Sequence, residues 1–386
     1  MKTKELRIGL IGVGGIAAFV HYPGLSLIEG VTISGVCDPD ADLVARRQKE
    51  WGVNIGYTDA LKFLDEVALD AVVVATPNVY HEPIVQRALE HGCHVLCEKP
   101  LSMSAQATRS MYLAARSAGL RHMTAFTYRF VPALAYIKSL IQRGELGEIR
   151  HARFKRLHYW GEVSLGWRQY RKSAGSGELG DVGSHRADFA EDILGPIASV
   201  CASMKQVIRR TETADGKACD PQDVEDWVAW IAEFASGATG VFEMGKLSNG
   251  RGPKGDDDVA EFEGSQASAV YQLHDPTSFL WAARGDAYER RAVPEGFLKR
   301  PGSPRDPGAG DPFQTFRFDQ AWEFVSAIRE ERDCSPTFWH GVRAQIVTEA
   351  IQAAATSRRW IDIPPGIGVE AEPINEAAAA GTNVRH

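Results

Sequence analysis

Gly12-Val13-Gly14-Gly15-Ile16-Ala17 follows the apolar run Leu6 to Ile11, and its reading decides how the first third of the chain folds. The segment matches G-x-G-x-x-A at a junction where a strand hands the chain to a helix. Gly12 permits the tight turn, and Gly14 lets backbone N–H groups approach a pyrophosphate at the positive helix end. Ala17 keeps helix and sheet close, and Gly15 and Ile16 belong to the same contact surface. The next apolar run, Val31 to Cys37, ends at Asp38, about twenty residues past Ala17, where a carboxylate can accept hydrogen bonds from adenosine ribose hydroxyls. That charge repels a 2′-phosphate, and no Arg or Ser follows directly, so the expected cofactor is NAD rather than NADP.

Outward from this turn, β-rich runs alternate with helical stretches. Strands are predicted at Leu6 to Ile11, Val31 to Cys37, Ala71 to Thr76, His94 to Cys97 and His122 to Phe126. Helices are predicted at Gly15 to Tyr22, Asp40 to Trp51, Glu82 to His91 and Ser104 to Ala118. Alternation of this kind specifies a doubly wound α/β sheet. After about residue 126 the character changes. One helix near Ala133 to Arg143 leads into Val-, Phe-, Tyr- and Trp-rich runs at Ile149 to Tyr159, Val224 to Phe234, Thr239 to Leu247 and Val259 to Glu263. An irregular loop (Val293 to Pro312) and two helices (Phe318 to Glu331, Gly341 to Ser357) follow. The expectation is a dinucleotide-binding domain over 1–126, an α+β domain on a largely antiparallel open sheet over 127–369, and a mobile tail over 370–386.

A formal charge of −7 without long like-charge blocks argues against nucleic acid as a partner, and no apolar run reaches the roughly 20 residues of a membrane span. Lys2, Lys4 and Arg7 before an apolar run imitate a secretory signal, but the glycines sit where a nucleotide turn needs them and no small-residue cleavage site follows. Six scattered cysteines without a C-x-x-C pair fit a reducing compartment, so the protein is expected in the cytoplasm. Cys93-His94 with Cys97 lacks a fourth ligand, and no metal is expected.

Further along, Ala75-Thr76-Pro77-Asn78 with His81 precedes Gly92-Cys93-His94-Val95-Leu96-Cys97-Glu98-Lys99-Pro100. Tyr128-Arg129-Phe130, Leu146-Gly147-Glu148-Ile149 and Asp181-Val182-Gly183-Ser184-His185 come in order behind them. Over about residues 5 to 195 the chain resembles the Gfo/Idh/MocA oxidoreductases, an assembly of a Rossmann domain with a substrate domain. The resemblance implies that Thr76, Pro77, Asn78, His81 and Glu98 serve the cofactor. It places Glu98 and Lys99 beside the nicotinamide half of the cofactor, Lys99 reaching the substrate hydroxyl, with Asp181 and His185 completing the site. The residues support this independently: Lys99 ends a parallel strand, the edge at which open α/β sheets bind ligands, and Pro100 stops the strand. Asp181 and His185 are four apart, on one face if a helix begins there.

His185 reads as general base, as a structural hydrogen-bonding residue or as half of a metal site. As a base it would titrate near neutral pH, with Asp181 orienting it or binding the sugar. Trp167-Arg168 stands where relatives carry a Trp-Arg pair near cofactor phosphate or substrate, or is a packed Trp with a surface Arg. Tyr128, Arg129 and Tyr159 are expected at the substrate, and Thr127 departs from the Asn more usual before the Tyr-Arg-Phe run. The expected activity is NAD-dependent oxidation of a secondary hydroxyl of a sugar, glycoside, anhydrosugar or cyclitol. A glycosidase using transient oxidation, and a non-catalytic NAD-binding regulator, are the alternatives. A homodimer or homotetramer is expected, because one face of a broad sheet needs cover.

Overall fold

The computed structural model describes residues 5–252 and 257–368. The expected tail, 370–386, lies outside the described residues. The first sheet contains β1 (Leu6–Ile11), β2 (Val31–Cys37), β3 (Gly56–Tyr57), β4 (Ala71–Val74), β5 (His94–Cys97) and β6 (His122–Thr124). Their order is β3-β2-β1-β4-β5-β6, with every pair parallel. Register aligns the strand ends: Ile11 pairs with Cys37 and Val74, and Cys97 pairs with Val74 and Thr124. Gly12, Asp38, Ala75, Glu98 and Ala125 therefore leave the sheet along one edge, where order reverses between β1 and β4 and a crevice opens.

Two strands stop short of their predicted ends, at Val74 rather than Thr76 and at Thr124 rather than Phe126, because the following residues turn out along the crevice. Around this sheet one strand and one α-helix were not anticipated. β3 is only two residues long, too short for alternation to show. The helix Ala60–Glu66 has a legible signal in Asp59, whose carboxylate accepts from the N–H groups of Leu61 and Lys62. Asp40 caps Ala41–Trp51 in the same way, as its position foretold.

The second sheet holds β7 (Ile149–Leu157), β8 (Ile197–Lys205), β9 (Trp227–Phe234), β10 (Thr239–Gly245), β11 (Asp257–Gly264), β12 (Ala267–Gln272), β13 (Ser278–Ala283), β14 (Glu289–Ala292) and β15 (Ile361–Asp362). Its order is β14-β13-β12-β11-β7-β10-β9-β8-β15. Neighbours are antiparallel except β7 and β10, which run parallel with Arg156 opposite Met244 and Leu157 opposite Gly245. Strands β8, β12, β13, β14 and β15 escape a pattern reading: β8, for instance, is rich in Ala and Ser.

On the inner face Phe154 stacks on Phe242 at 4.4 Å and Phe242 on Trp230 at 4.5 Å between ring centroids. All three are buried, and each such side chain stabilises by roughly 1.5–3 kcal/mol relative to exposure. Helices Ser184–Leu194 and Phe338–Ser357 cover this face; Phe189 of the first meets Phe154 at 5.5 Å.

Candidate active site

A cavity of about 420 Å3 runs from the glycine turn along the carboxyl edge of the first sheet and is closed opposite by residues of the second half. Gly12 has φ +84°, and a Cβ there would come within 2.5 Å of the Ala75 carbonyl oxygen, so strand and turn approach as only glycine permits. A Cβ on Gly14 or Gly15 would meet nothing within 4 Å. The turn thus faces open space at a helix N-terminus, a cradle that fits a dinucleotide's pyrophosphate. Asp38 is held beside it, accepting from Val13 N–H at 3.0 Å through one oxygen and from Asp40 N–H at 3.1 Å through the other. A carboxylate oxygen has a second lone pair, which leaves capacity for ribose hydroxyls.

At the far end of the edge Glu98 and Lys99 follow β5. Buried Glu98 accepts from His21 at 2.9 Å. Burial alone would raise its pKa, but the His21 hydrogen bond and the nearby His21 and Lys99 charges hold it below the usual carboxylate range. His21 reaches inward because the helix after the glycine turn widens: Tyr22 N–H bonds Ala17 O, five residues back.

The Lys99 ammonium donates to Asp181 Oδ1 at 2.9 Å and to the Asp181 carbonyl at 2.6 Å. Arg168 stands 3.7 Å from the other carboxylate oxygen and lies over the Trp167 ring at 4.6 Å. Burial would raise the Asp181 pKa, yet the Lys99 and Arg168 charges bring it well below the carboxylate range. Asp181 also lies in a widened turn, Ser184 N–H bonding Leu179 O.

His185 shares the cavity wall with Lys99 and Asp181. Among the described residues no hydrogen bond joins it to Asp181, and its buried Nδ1 has no partner. The carboxylate therefore orients the lysine rather than the imidazole. Burial first, then the Lys99 and Arg186 charges, push the His185 pKa well below the ordinary imidazole value. Titration near neutrality is corrected accordingly: the ring is already neutral at pH 7.

Thr76, Asn78, Trp167, Arg168 and Tyr128 also line the cavity. Asn78 ties its two sides by donating to Ala174 O at 2.9 Å. His81 does not line it; buried behind, its ring nitrogens lie 2.9 Å from Thr76 O and 3.0 Å from Pro100 O, and Pro77 likewise only shapes the loop.

Tyr128 contributes its ring, because its hydroxyl donates to Asp258 at 2.7 Å. Arg129 and Tyr159 are misplaced by the sequence reading. Arg129 forks onto Asp188 at 2.7 and 2.8 Å and reaches Asp192 at 2.7 Å in a separate, smaller cavity. Tyr159 lies outside the cleft, with its backbone bridged to Leu247; neighbouring Trp160 takes the wall position.

The sequence reading missed His21, Arg156, Arg186, Lys246 and Arg317. Arg156 and Lys246 come from the same end of the parallel pair β7 and β10, a pairing with no local signal. Among the described residues no group of three His, Cys, Asp or Glu side chains gathers to hold a metal. No helix among them is long and apolar enough to cross a membrane.

A Gly-rich turn on a doubly wound sheet, with an acid, a lysine and a histidine at its edge, defines an oxidoreductase with an NAD-binding Rossmann fold, and the matching family profile covers residues 6–126. The profile of the GFO/IDH/MocA C-terminal domain covers residues 134–270, and the chain belongs to the Gfo/Idh/MocA family. Levoglucosan dehydrogenase of Pseudarthrobacter phenanthrenivorans is 28% identical over 94% of this chain and 99% of its own length. A solved structure of a levoglucosan dehydrogenase with NADH and levoglucosan superposes with TM-score 0.84 at 28% identity, over 94% of this chain and 100% of that one. An oxidoreductase domain protein from Kribbella flavida gives TM-score 0.84 at 30% identity, with the same coverage. D-glucoside 3-dehydrogenase of Escherichia coli is 31% identical over 61% of this chain and 69% of its own.

Proposed function

We propose that the chain oxidises a secondary hydroxyl of a sugar, glycoside, anhydrosugar or cyclitol to a ketone, with NAD as hydride acceptor. The observation that carries this reading is the convergence of Lys99, Asp181 and His185 on one cavity continuous with the Gly14-Gly15 turn. An ammonium has three N–H donors. Two of those on Lys99 go to Asp181, and the third holds the substrate oxygen and stabilises negative charge that develops on it. Neutral His185 takes the hydroxyl proton as the C–H bond gives up hydride. Bound NAD supplies the acceptor carbon.

Incubation with NAD and a panel of inositols, aldoses, glycosides and anhydrosugars should yield NADH and a ketone in equal amounts with at least one compound. Aglycone release without NADH would replace this reading with the oxidative glycosidase. Association into a homodimer or homotetramer fits the same reading: on the outer sheet face Ile231 and Val241, paired across β9 and β10, are 47% and 40% exposed. The cysteines, all free thiols, fit residence in the reducing cytoplasm.

A further inference from the structure

The cavity wall carries six cationic side chains, Lys99, Arg156, Arg168, Arg186, Lys246 and Arg317, against two carboxylates, Glu98 and Asp181. Most of these cations are answered. Asp181 takes Lys99 and faces Arg168, while Asp258 behind the wall takes Arg156 and, at 2.5 Å, Arg186. Lys246 and Arg317 have no carboxylate within salt-bridge reach among the described residues.

Lys246 is 2% exposed, and no described residue accepts a hydrogen bond from its ammonium. Asp181 and Glu225 both sense its charge without pairing with it: Asp181 takes Lys99, and Glu225 accepts from the N–H groups of Gly177 and Leu179 at 2.8 and 3.0 Å through Oε1, its buried Oε2 bonding no described residue. Arg317, across the cavity beside His185, donates to the Phe313 carbonyl and lies over the Phe313 and Phe316 rings at 4.8 and 4.4 Å. A largely buried lysine with no direct ion pair is costly unless something that binds there completes it. Lys246 follows β10 and its carbonyl accepts from Trp160 N–H, so it belongs to the wall facing the glycine turn rather than to the cofactor's edge.

We infer that the substrate carries an anionic group, a carboxylate or a phosphate ester, and that Lys246 is its principal anchor, with Arg317 adding positive field from the other side. This rests on the dehydrogenase reading above and narrows its substrate class to acidic sugars.

The test is a set of matched pairs followed by NADH formation: glucose against glucuronate, glucose against glucose 6-phosphate, and a methyl glucoside against the corresponding glucuronide. In at least one pair the anionic member should exceed its neutral partner by about 100-fold in kcat/KM. Lys246→Met should raise KM for that substrate by about 30-fold or more, as loss of one partner of a buried charge pair does, with KM for NAD within twofold. Whether the carboxylate or the phosphate arm responds identifies the anion.

NADH formation with neutral members equal or better overturns the inference and leaves the dehydrogenase reading standing. A matching rise in KM for NAD also overturns it, because the lysine would then serve cofactor phosphate. If no compound reduces NAD, the dehydrogenase reading fails; thermal shifts of the NAD-loaded protein with glucuronate and glucose 6-phosphate then decide, and their absence, or their persistence in the variant, overturns the anion site. Arg317→Gln, expected to weaken the same substrate by a smaller factor, replaces Lys246→Met should that variant fail to fold.

Discussion

One wall of the cleft is largely backbone and small residues, Gly14, Gly15, Ala75 and Ala125 beside Thr76 and Asn78, whereas the facing wall is long side chains, among them Arg156, Trp160, Arg168 and Lys246. Backbone N–H groups at a helix end recognise phosphate through chain conformation, so the first wall depends on where glycine is allowed. The second depends on which side chains distant strands bring to one place. Lys99 belongs to the first wall by chain position and is fastened to the second through Asp181. It is the point at which the two forms of recognition meet.

That contrast breaks most sharply at Lys99. Lys99→Ala removes the charge proposed to face the reacting oxygen and also leaves Asp181 without its closest counter-ion, so kcat should fall on the order of 10³-fold while NAD affinity, measured by fluorescence titration, changes little. Turnover within tenfold of wild type would separate the two walls functionally and remove the lysine from the chemistry.

His185→Ala should lower kcat on the order of 10²-fold. The proposed base is the neutral ring, whose folded pKa lies well below the ordinary imidazole value. Activity limited by it should therefore stay flat through neutrality and fall only in acid, as protonation removes the base. A pH–rate profile that keeps that acid limb in the alanine variant would assign the limb to another group.

The smallest effect sharpens the comparison from the cofactor side. Asp38→Ser removes one carboxylate next to the glycine turn and should shift the NAD to NADP preference by about tenfold in kcat/KM, equivalent to ~1.4 kcal/mol. Sugar KM should be untouched; an unchanged cofactor ratio would take Asp38 out of ribose recognition.

The same two walls explain what could be read in advance. The doubly wound sheet was legible because its longer strands, turns and caps are local patterns; the G-x-G-x-x-A segment and Asp38 follow from strand ends, and Lys99 from family resemblance supported by its strand end. Asp181 and His185 stand out only through family resemblance together with helical spacing, and of Asp181, expected to orient the imidazole or bind the sugar, the structure shows a partner in Lys99. Arg129 shows the limit: an arginine beside a site tyrosine looks available in sequence, but its partners Asp188 and Asp192 lie about sixty residues away and claim it. Lys246 shows the converse, since nothing near it in sequence distinguishes it from any lysine after a strand.

The parallel pairing of β7 with β10 reaches beyond architecture. It mounts Arg156 on β7 and Lys246 directly after β10, at the same end of two ladder-bonded strands, so the ladder fixes where both side chains start. Exchanging these side chains alters the size and charge the pocket accepts without asking the scaffold to find a new conformation. A lineage, or an engineer, can retarget such an enzyme by single substitutions on that sheet edge, with the glycine turn and the cofactor it holds left as they are.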